Sequence, residues 1–356
     1  MKKISLFIIV CMVMGLALGC ANTSTDVPET TDESQGEIIN EATDQEEPAS
    51  GDIVTAPSSI RIRAIAPEGA TTIAMLKMIH DQTLLLDRAE VTYESLNTTD
   101  LLVAELVGEK TDFAIAPTNL AAKLYNKGIP YKLVSVNTHG NLYMVTSNKE
   151  LQTWDDLKGE EVYMIGQGLV PDLIFRYLAE ANGVIPDEDF TIVYLAGASE
   201  VASTYLSGKA TTILMPEPVL SVVKTKTDDI QILFDFQDEY EKVTGSKAGF
   251  PQAGLLVKNE LIETEPEVVE AFIQGMQASC IWVNEEPETA ASYITELDLG
   301  IPEPVAINAI PGLNIEHVSV SDSREELEML FDILMSSSPD AIGGKVPDEA
   351  FYYKGE

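Results

Sequence analysis

From Ser58 onward the sequence alternates short β-branched runs with segments of helical periodicity, and that alternation restricts the fold more than any other feature. IRIRAIA (60–66), EVTYES (90–95), DFAIAP (112–117) and KLVSVN (132–137) read as strands. Between them TTIAMLKMIHDQ, TTDLLVAELVGE and TNLAAKLYNKG read as helices. A β–α succession of this kind requires an α/β fold in which parallel sheets are flanked by helices on both faces. A second succession follows through EVYMIG, PDLIFRYLAEANG, FTIVYL, ASEVASTYLSGK, TTILMPE, PVLSVVKTK and IQILFD. The run QAGLLVKN then returns as a strand, and helices are expected from Pro266 to Ser338.

The two successions echo one another. GEKTDFAIAPTNLAAKLY (108–125) and SGKATTILMPEPVLSVVK (207–224) share a Gly, a Lys, a short strand, a Pro and a helix in the same order. Each half also opens with a strand that runs into a Gly-containing turn before a helix, APEGATT at 66–72 and IGQGLVPD at 165–172. Such turns leave backbone N–H groups free at the first helical turn, where Thr71 or Thr72 can serve as a cap or the amides can hold a ligand. With 356 residues the chain is long enough for two lobes built this way.

The first twenty residues, MKKISLFIIVCMVMGLALGC, combine Lys2 and Lys3 with an apolar run and small residues before Cys20. Residues 1–19 are therefore expected to be a secretory signal peptide. The ending ALGC resembles a bacterial lipobox, with Leu18 one place later than usual, which makes Cys20 the expected lipidation site. Secretion with a cut nearby, leaving Cys20 a free thiol, is the alternative. Residues 20–57 are expected to be a lipid-anchored acidic linker: from 21 to 57 there are ten carboxylates and no Lys or Arg. As a flexible coil it spans roughly 35 Å. The expected location is extracytoplasmic, on the cell membrane. Only Cys280 remains in the body, where it reads as a small buried hydrophobe and not as half of a disulfide.

The formal charge is −36; with the two signal lysines and the ten linker carboxylates set aside, residues 58–356 carry −28. Phosphate backbones repel such a body, which excludes nucleic acid as a partner. Anionic lipid head groups repel it too, so membrane attachment falls to acyl chains.

APEGATTIAMLKMI, KTDFAIAPTNLAAKLYNKG, ELQTWDDLKGEEVYMIGQGLVPDLIFRYLAEANG, TTILMPEPV and the tail GGKVPDEAFYYK, taken in order, resemble the substrate-binding proteins of ABC importers, in particular the nitrate, sulfonate, taurine and thiamine-pyrimidine group. The resemblance covers about residues 58–356. It implies a two-lobed periplasmic-binding-protein fold of type II, with two crossover strands and a cleft that closes around a small-molecule solute. The expected lobes are 58–147 with 252–356, and 148–251. The implied partners are a membrane permease and an ATPase, with the protein itself a monomer.

Ligands of open α/β sheets meet the loops at the carboxyl ends of parallel strands. On that basis the candidate ligand-binding residues are Pro67, Glu68, Gly69, Ala70 and Thr71, then Thr118 and Asn119, then Gly166, Gln167 and Gly168, and finally Glu217 and Gln252. Thr118 either caps a helix or contacts ligand. Glu217 either binds ligand or begins a helix. His139, Gly140 and Asn141 are expected at a hinge, a rim or an exposed turn. Pro171 breaks a dinucleotide fingerprint at GQG, and Asp172 is expected to serve the positive end of its helix.

Catalytic motifs are lacking: there is no G-x-S-x-G, no CxxC, and His80, His139 and His317 lack metal-ligand spacing. No catalytic residue, metal or cofactor is expected. Two readings compete with a transport receptor. One is a pyrimidine-forming enzyme of the same group, whose relatives carry a Cys-rich motif and histidine chemistry that this sequence lacks. The other is a tethered sensor without transport. An anion would sit on helix N-termini, whereas inward-pointing Glu68 and Glu217 would favour an amine or a nitrogen heterocycle.

Overall fold

The computed structural model describes residues 60–355 apart from positions 83 and 248. The expected signal peptide, Cys20 and the linker lie outside the described residues. The first β–α succession forms β1 (Ile60–Pro67), α1 (Ala70–Ala74), α2 (Leu76–Asp81), β2 (Ala89–Leu96), α3 (Thr99–Val107), β3 (Phe113–Pro117), α4 (Thr118–Asn126) and β4 (Tyr131–His139). The helix expected over 71–82 is two helices, because Met75 leaves helical geometry at φ −94° and ψ 6°. The second succession forms β5 (Leu142–Thr146), β6 (Glu161–Met164), α5 (Val170–Ala181), β7 (Thr191–Tyr194), α6 (Ala198–Leu206), β8 (Thr212–Pro216), α7 (Val219–Lys224), β9 (Gln231–Asp235) and α8 (Phe236–Thr244). The chain then returns through β10 (Pro251–Lys258), α9 (Asn259–Thr264), α10 (Pro266–Glu285), α11 (Pro287–Glu296), α12 (Glu303–Ala309), β11 (Ile315–Ser319) and α13 (Arg324–Ser337).

Two sheets result, with strand orders β11-β4-β10-β3-β1-β2 and β7-β6-β8-β5-β9. Both are mixed and not purely parallel. Strands that open a β–α unit run parallel, as β1 does with β2 and β3, and β6 with β7 and β8. The strands that enter from the other lobe run against them: β5 is antiparallel to β8, and β10 is antiparallel to both β3 and β4. β5 lies inside the stretch expected to end the first lobe, yet it is hydrogen-bonded into the second sheet. Sheet membership therefore moves the first crossing from residue 147 back to Gly140 and Asn141. β11, inside the segment expected to be all helix, adds an antiparallel edge to β4.

Alternation along each strand directs side chains to both faces, and both faces are covered. Phe113 of β3 stacks on Phe272 of α10 at 3.7 Å between ring centroids, within a core that also holds Ile62, Ile73 and Cys280. In the second lobe Val145, Ile213 and Leu220 form a core against α6 and α7. A third core runs continuously from Leu120 and Phe331 to Phe175 and Phe236, and so joins the two lobes. Burying a large side chain there stabilises the fold by about 1.5–3 kcal/mol.

Candidate functional site

The strand registers bring the four sequence-flagged loops to two facing edges. β1 and β2 end together at Pro67 and Leu96. β10 enters the same edge, with Ala253 opposite Pro117 of β3 and Pro251 opposite His139 of β4. In the second sheet β8 ends at Pro216 opposite Leu142, where β5 enters, and β6 ends nearby at Met164. Each candidate residue thus lies at, or one turn beyond, a carboxyl edge or a crossover.

At the β1–α1 loop the hydroxyls of Thr71 and Thr72 donate to the Pro67 carbonyl at 2.5 and 2.7 Å. Neither caps the helix; the cap position is Gly69, whose φ of 97° and ψ of −141° only glycine adopts without strain. Glu68 is exposed and its N–H donates to Leu96 O at 3.0 Å, while Ala70 is buried. Glu68 and Gly69 line a cavity of 370 Å³ with Thr72, Ser95 and the segment Asp298, Leu299, Gly300 and Ile301. That volume suits a small solute.

Asn119, 1 % exposed, reaches across the lobes. Its Nδ2 donates to Gly168 O at 3.1 Å and to Ala341 O at 3.3 Å, and its Oδ1 is buried without a donor among the described residues. Thr118 neither caps α4, whose cap position is Pro117, nor is its hydroxyl free: it donates to Pro251 O at 2.8 Å. Gly166 and Gly168 have φ of 81° and 71°, and Gln167 and Gly168 are exposed. The Gly168 N–H is already engaged by Asp172, whose carboxylate accepts from it at 2.8 Å and also from Arg176 Nε and Tyr194 OH. Asp172 therefore serves the positive end of α5, as expected.

A relay of amides links the crossovers to Glu217. Glu217 N–H donates to Asn141 O at 3.0 Å, Asn141 Nδ2 donates to Glu217 O at 3.4 Å, and Gln252 Nε2 donates to Asn141 Oδ1 at 3.1 Å. The Glu217 carboxylate accepts from Ser221 N–H and Oγ, both at 3.0 Å. Burial raises its pKa above the ordinary carboxylate range, while Ser221 and the exposed Lys224 pull the other way. Gly312, in a single 3-10 turn (Ile310–Leu313) of the first lobe, abuts this carboxylate: a Cβ there would lie 3.1 Å from Glu217 Cγ.

A family model, NMT1/THI5-like, matches residues 90–290. The chain belongs to the NMT1/THI5-like family. Solved structures share the fold of this NMT1/THI5-like chain. An ABC transporter protein from Parabacteroides distasonis is 24 % identical with a TM-score of 0.72, covering 84 % of this chain and 100 % of its own. The alkanesulfonate-binding protein SsuA from Xanthomonas axonopodis pv. citri, bound to MOPS, is 14 % identical with a TM-score of 0.62, covering 82 % and 96 %. The periplasmic nitrate-binding protein NrtA from Synechocystis PCC 6803 is 14 % identical with a TM-score of 0.62, covering 81 % and 85 %. No curated protein sequence matches this NMT1/THI5-like chain.

Several site residues carry no local signal. Ser95 and Asp298 reach the 370 Å³ cavity, and Gly312 the Glu217 carboxylate, from elements remote in sequence. A larger cavity, 620 Å³, lies between α8 of the second lobe and α10 of the first, lined by His139, Asp238, Lys247, Asn284 and Glu316, and contains none of the candidate ligand residues. Cys280 is 1 % exposed and burial pushes its thiol up to about 12, so it is the expected small core residue and an inert one. Among the described residues no cluster of three or more His, Cys, Asp or Glu side chains could hold a metal, and no helix is long and apolar enough to cross a membrane.

Proposed function

We propose that the protein is the extracytoplasmic solute-binding lipoprotein of an ABC importer, tethered through Cys20 and acting as a monomer. It captures a small solute of the nitrate, sulfonate, taurine or pyrimidine class between its lobes and presents it to a permease and ATPase. The observation that carries this reading is the meeting of two carboxyl sheet edges across one seam, bridged by Asn119 to Gly168 and flanked by both crossovers. Open α/β sheets hold ligands at such edges, and a seam between two lobes shields a solute from water when they close. Membership of the NMT1/THI5-like family and the likeness to binding proteins support it. Against an enzyme stand the inert Cys280 and the dispersed histidines.

Thermal unfolding of the full chain in detergent, titrated with ethanesulfonate, nitrate, taurine and 4-aminopyrimidine as well as organic amines, tests the binding claim. A midpoint that climbs with the concentration of one solute is the expected result. No response to any class of solute contradicts it. Uptake by cells lacking the protein separates transport from sensing: loss of uptake of the bound solute is expected of an importer component and not of a sensor.

A further inference from the structure

Two amide side chains at the seam are oriented so that each leaves an acceptor unpaired. Asn119 Nδ2 donates to two backbone carbonyls, Gly168 and Ala341, so turning the amide would set oxygen against oxygen. Its Oδ1 is therefore fixed as a buried acceptor with no donor among the described residues. The relay at the crossovers is fixed in the same way. The Glu217 carbonyl orients Asn141 Nδ2, Asn141 Oδ1 then orients Gln252 Nε2, and Gln252 Oε1 is left buried and unpaired. Gln252 and Asn119 stem from neighbouring strand ends, since Ala253 stands opposite Pro117. These are two independent orphan acceptors on one sheet edge.

Charge has the same sense. One N–H ahead of α5, that of Gly168, and one in the first turn of α7, that of Ser221, are engaged by carboxylates of the chain itself, Asp172 and Glu217. Beside the seam, the 370 Å³ cavity, walled by the first lobe alone and by none of Asn119, Gln252 or Glu217, is lined by Glu68 and Asp298 and by no basic residue. A nitrate or sulfonate brings only lone pairs and negative charge to such a seam. It would leave both amide oxygens unpaired and add repulsion.

We propose that the solute is a small organic cation that donates N–H hydrogen bonds, an ammonium or amidinium, received by Asn119 Oδ1, Gln252 Oε1 and the Glu217 carboxylate. This rests on the solute-binding reading above, keeping capture between the lobes, and departs from it in solute class by replacing the oxyanions with organic cations. Charge-assisted N–H bonds would pair the two orphan amide oxygens, and the positive charge would offset that of the Glu217 carboxylate, which already accepts from Ser221. An affinity for cations would set this chain apart from the sulfonate- and nitrate-binding structures that share its fold.

Agmatine, putrescine and benzamidine serve as cationic probes, with ethanesulfonate and nitrate as oxyanions and 4-aminopyrimidine as a neutral donor, all titrated against the full chain in detergent. The expected result is a midpoint shift with at least one cation and none with the oxyanions. The cation's Kd should weaken about tenfold or more in both Gln252→Met and Glu217→Gln, each removing one acceptor or charge. Binding of an oxyanion or the neutral heterocycle without any cation overturns this inference and leaves the solute-binding reading standing. Cation binding that is unchanged in both folded variants overturns it as well. Silence from all six probes overturns both readings together.

Discussion

Glu217 is held where a carboxylate costs stability. Its folded pKa lies above the ordinary range because burial disfavours the charge, so its contribution to folding is full below that range and is lost as pH rises through the raised value. Glu217→Gln, which keeps an acceptor for Ser221, is expected to raise the unfolding midpoint of the solute-free protein at pH 7, with the gain disappearing below about pH 4. A midpoint that falls at pH 7 contradicts this. His317 has the opposite sign. Burial lowers it to about 4, with Asn137 Nδ2 3.2 Å from its Nδ1, so stability is present above its ordinary value and is lost as pH falls from about 6.5 through 4. Acid titration of stability should therefore show a loss on the order of 2 kcal/mol over that window, reduced in His317→Gln. The sequence made Glu217 legible as a residue following a strand, but not its carboxylate's neighbours: Ser221 is one turn on, whereas Gly312 arrives from nearly a hundred positions later. Thr118 shows the limit most plainly. A Thr after a strand reads as a cap, yet its hydroxyl goes to Pro251, a partner that only the β10–β3 pairing supplies.

At the scale of elements, the 3-10 turn at Ile310–Leu313 presses on the β8–α7 loop of the other lobe, with Gly312 leaving room for Glu217. Gly312→Val is expected to hold the lobes apart, weakening solute affinity about tenfold or more while shifting the solute-free midpoint by little, because the turn's own core contacts remain. Equal loss of stability and affinity would mean that the turn is structural and not a stop between lobes. Gly69 is different: a Cβ there meets nothing within 4 Å, and its cost lies in the backbone. Gly69→Ala should lower stability by about 1–2 kcal/mol through its positive φ alone, read from denaturant midpoints. Strands of the β–α units were legible because each is a β-branched run closed by a turn. β5 and β11 were not: both are five residues long, and each is defined by antiparallel partners supplied from elsewhere in the chain. Mixed sheets follow from the same cause, since the direction of a crossover strand is set by the lobe it comes from.

Over the whole molecule, two sheets share one seam and one continuous core, so a solute held between the edges as proposed would replace water against both lobes at once and couple capture to lobe contact. The acidic body, −28 once the signal lysines and linker carboxylates are set aside, adds a long-range field that attracts cations to the molecule. Raising ionic strength should therefore slow association of a cationic solute more than it speeds dissociation, measurable by stopped-flow. The proposed solute site lies between the lobes, at the four converging loops. Hydrogen–deuterium exchange of the full chain, with and without a saturating solute identified by thermal shift, tests it most directly. New protection is expected in peptides from both lobes, covering 66–72, 117–119, 140–142, 165–169, 216–221 and 251–253, with the 620 Å³ cavity between α8 and α10 unaffected. Protection confined to one lobe, or centred on Asp238, Lys247 and Glu316, would contradict it.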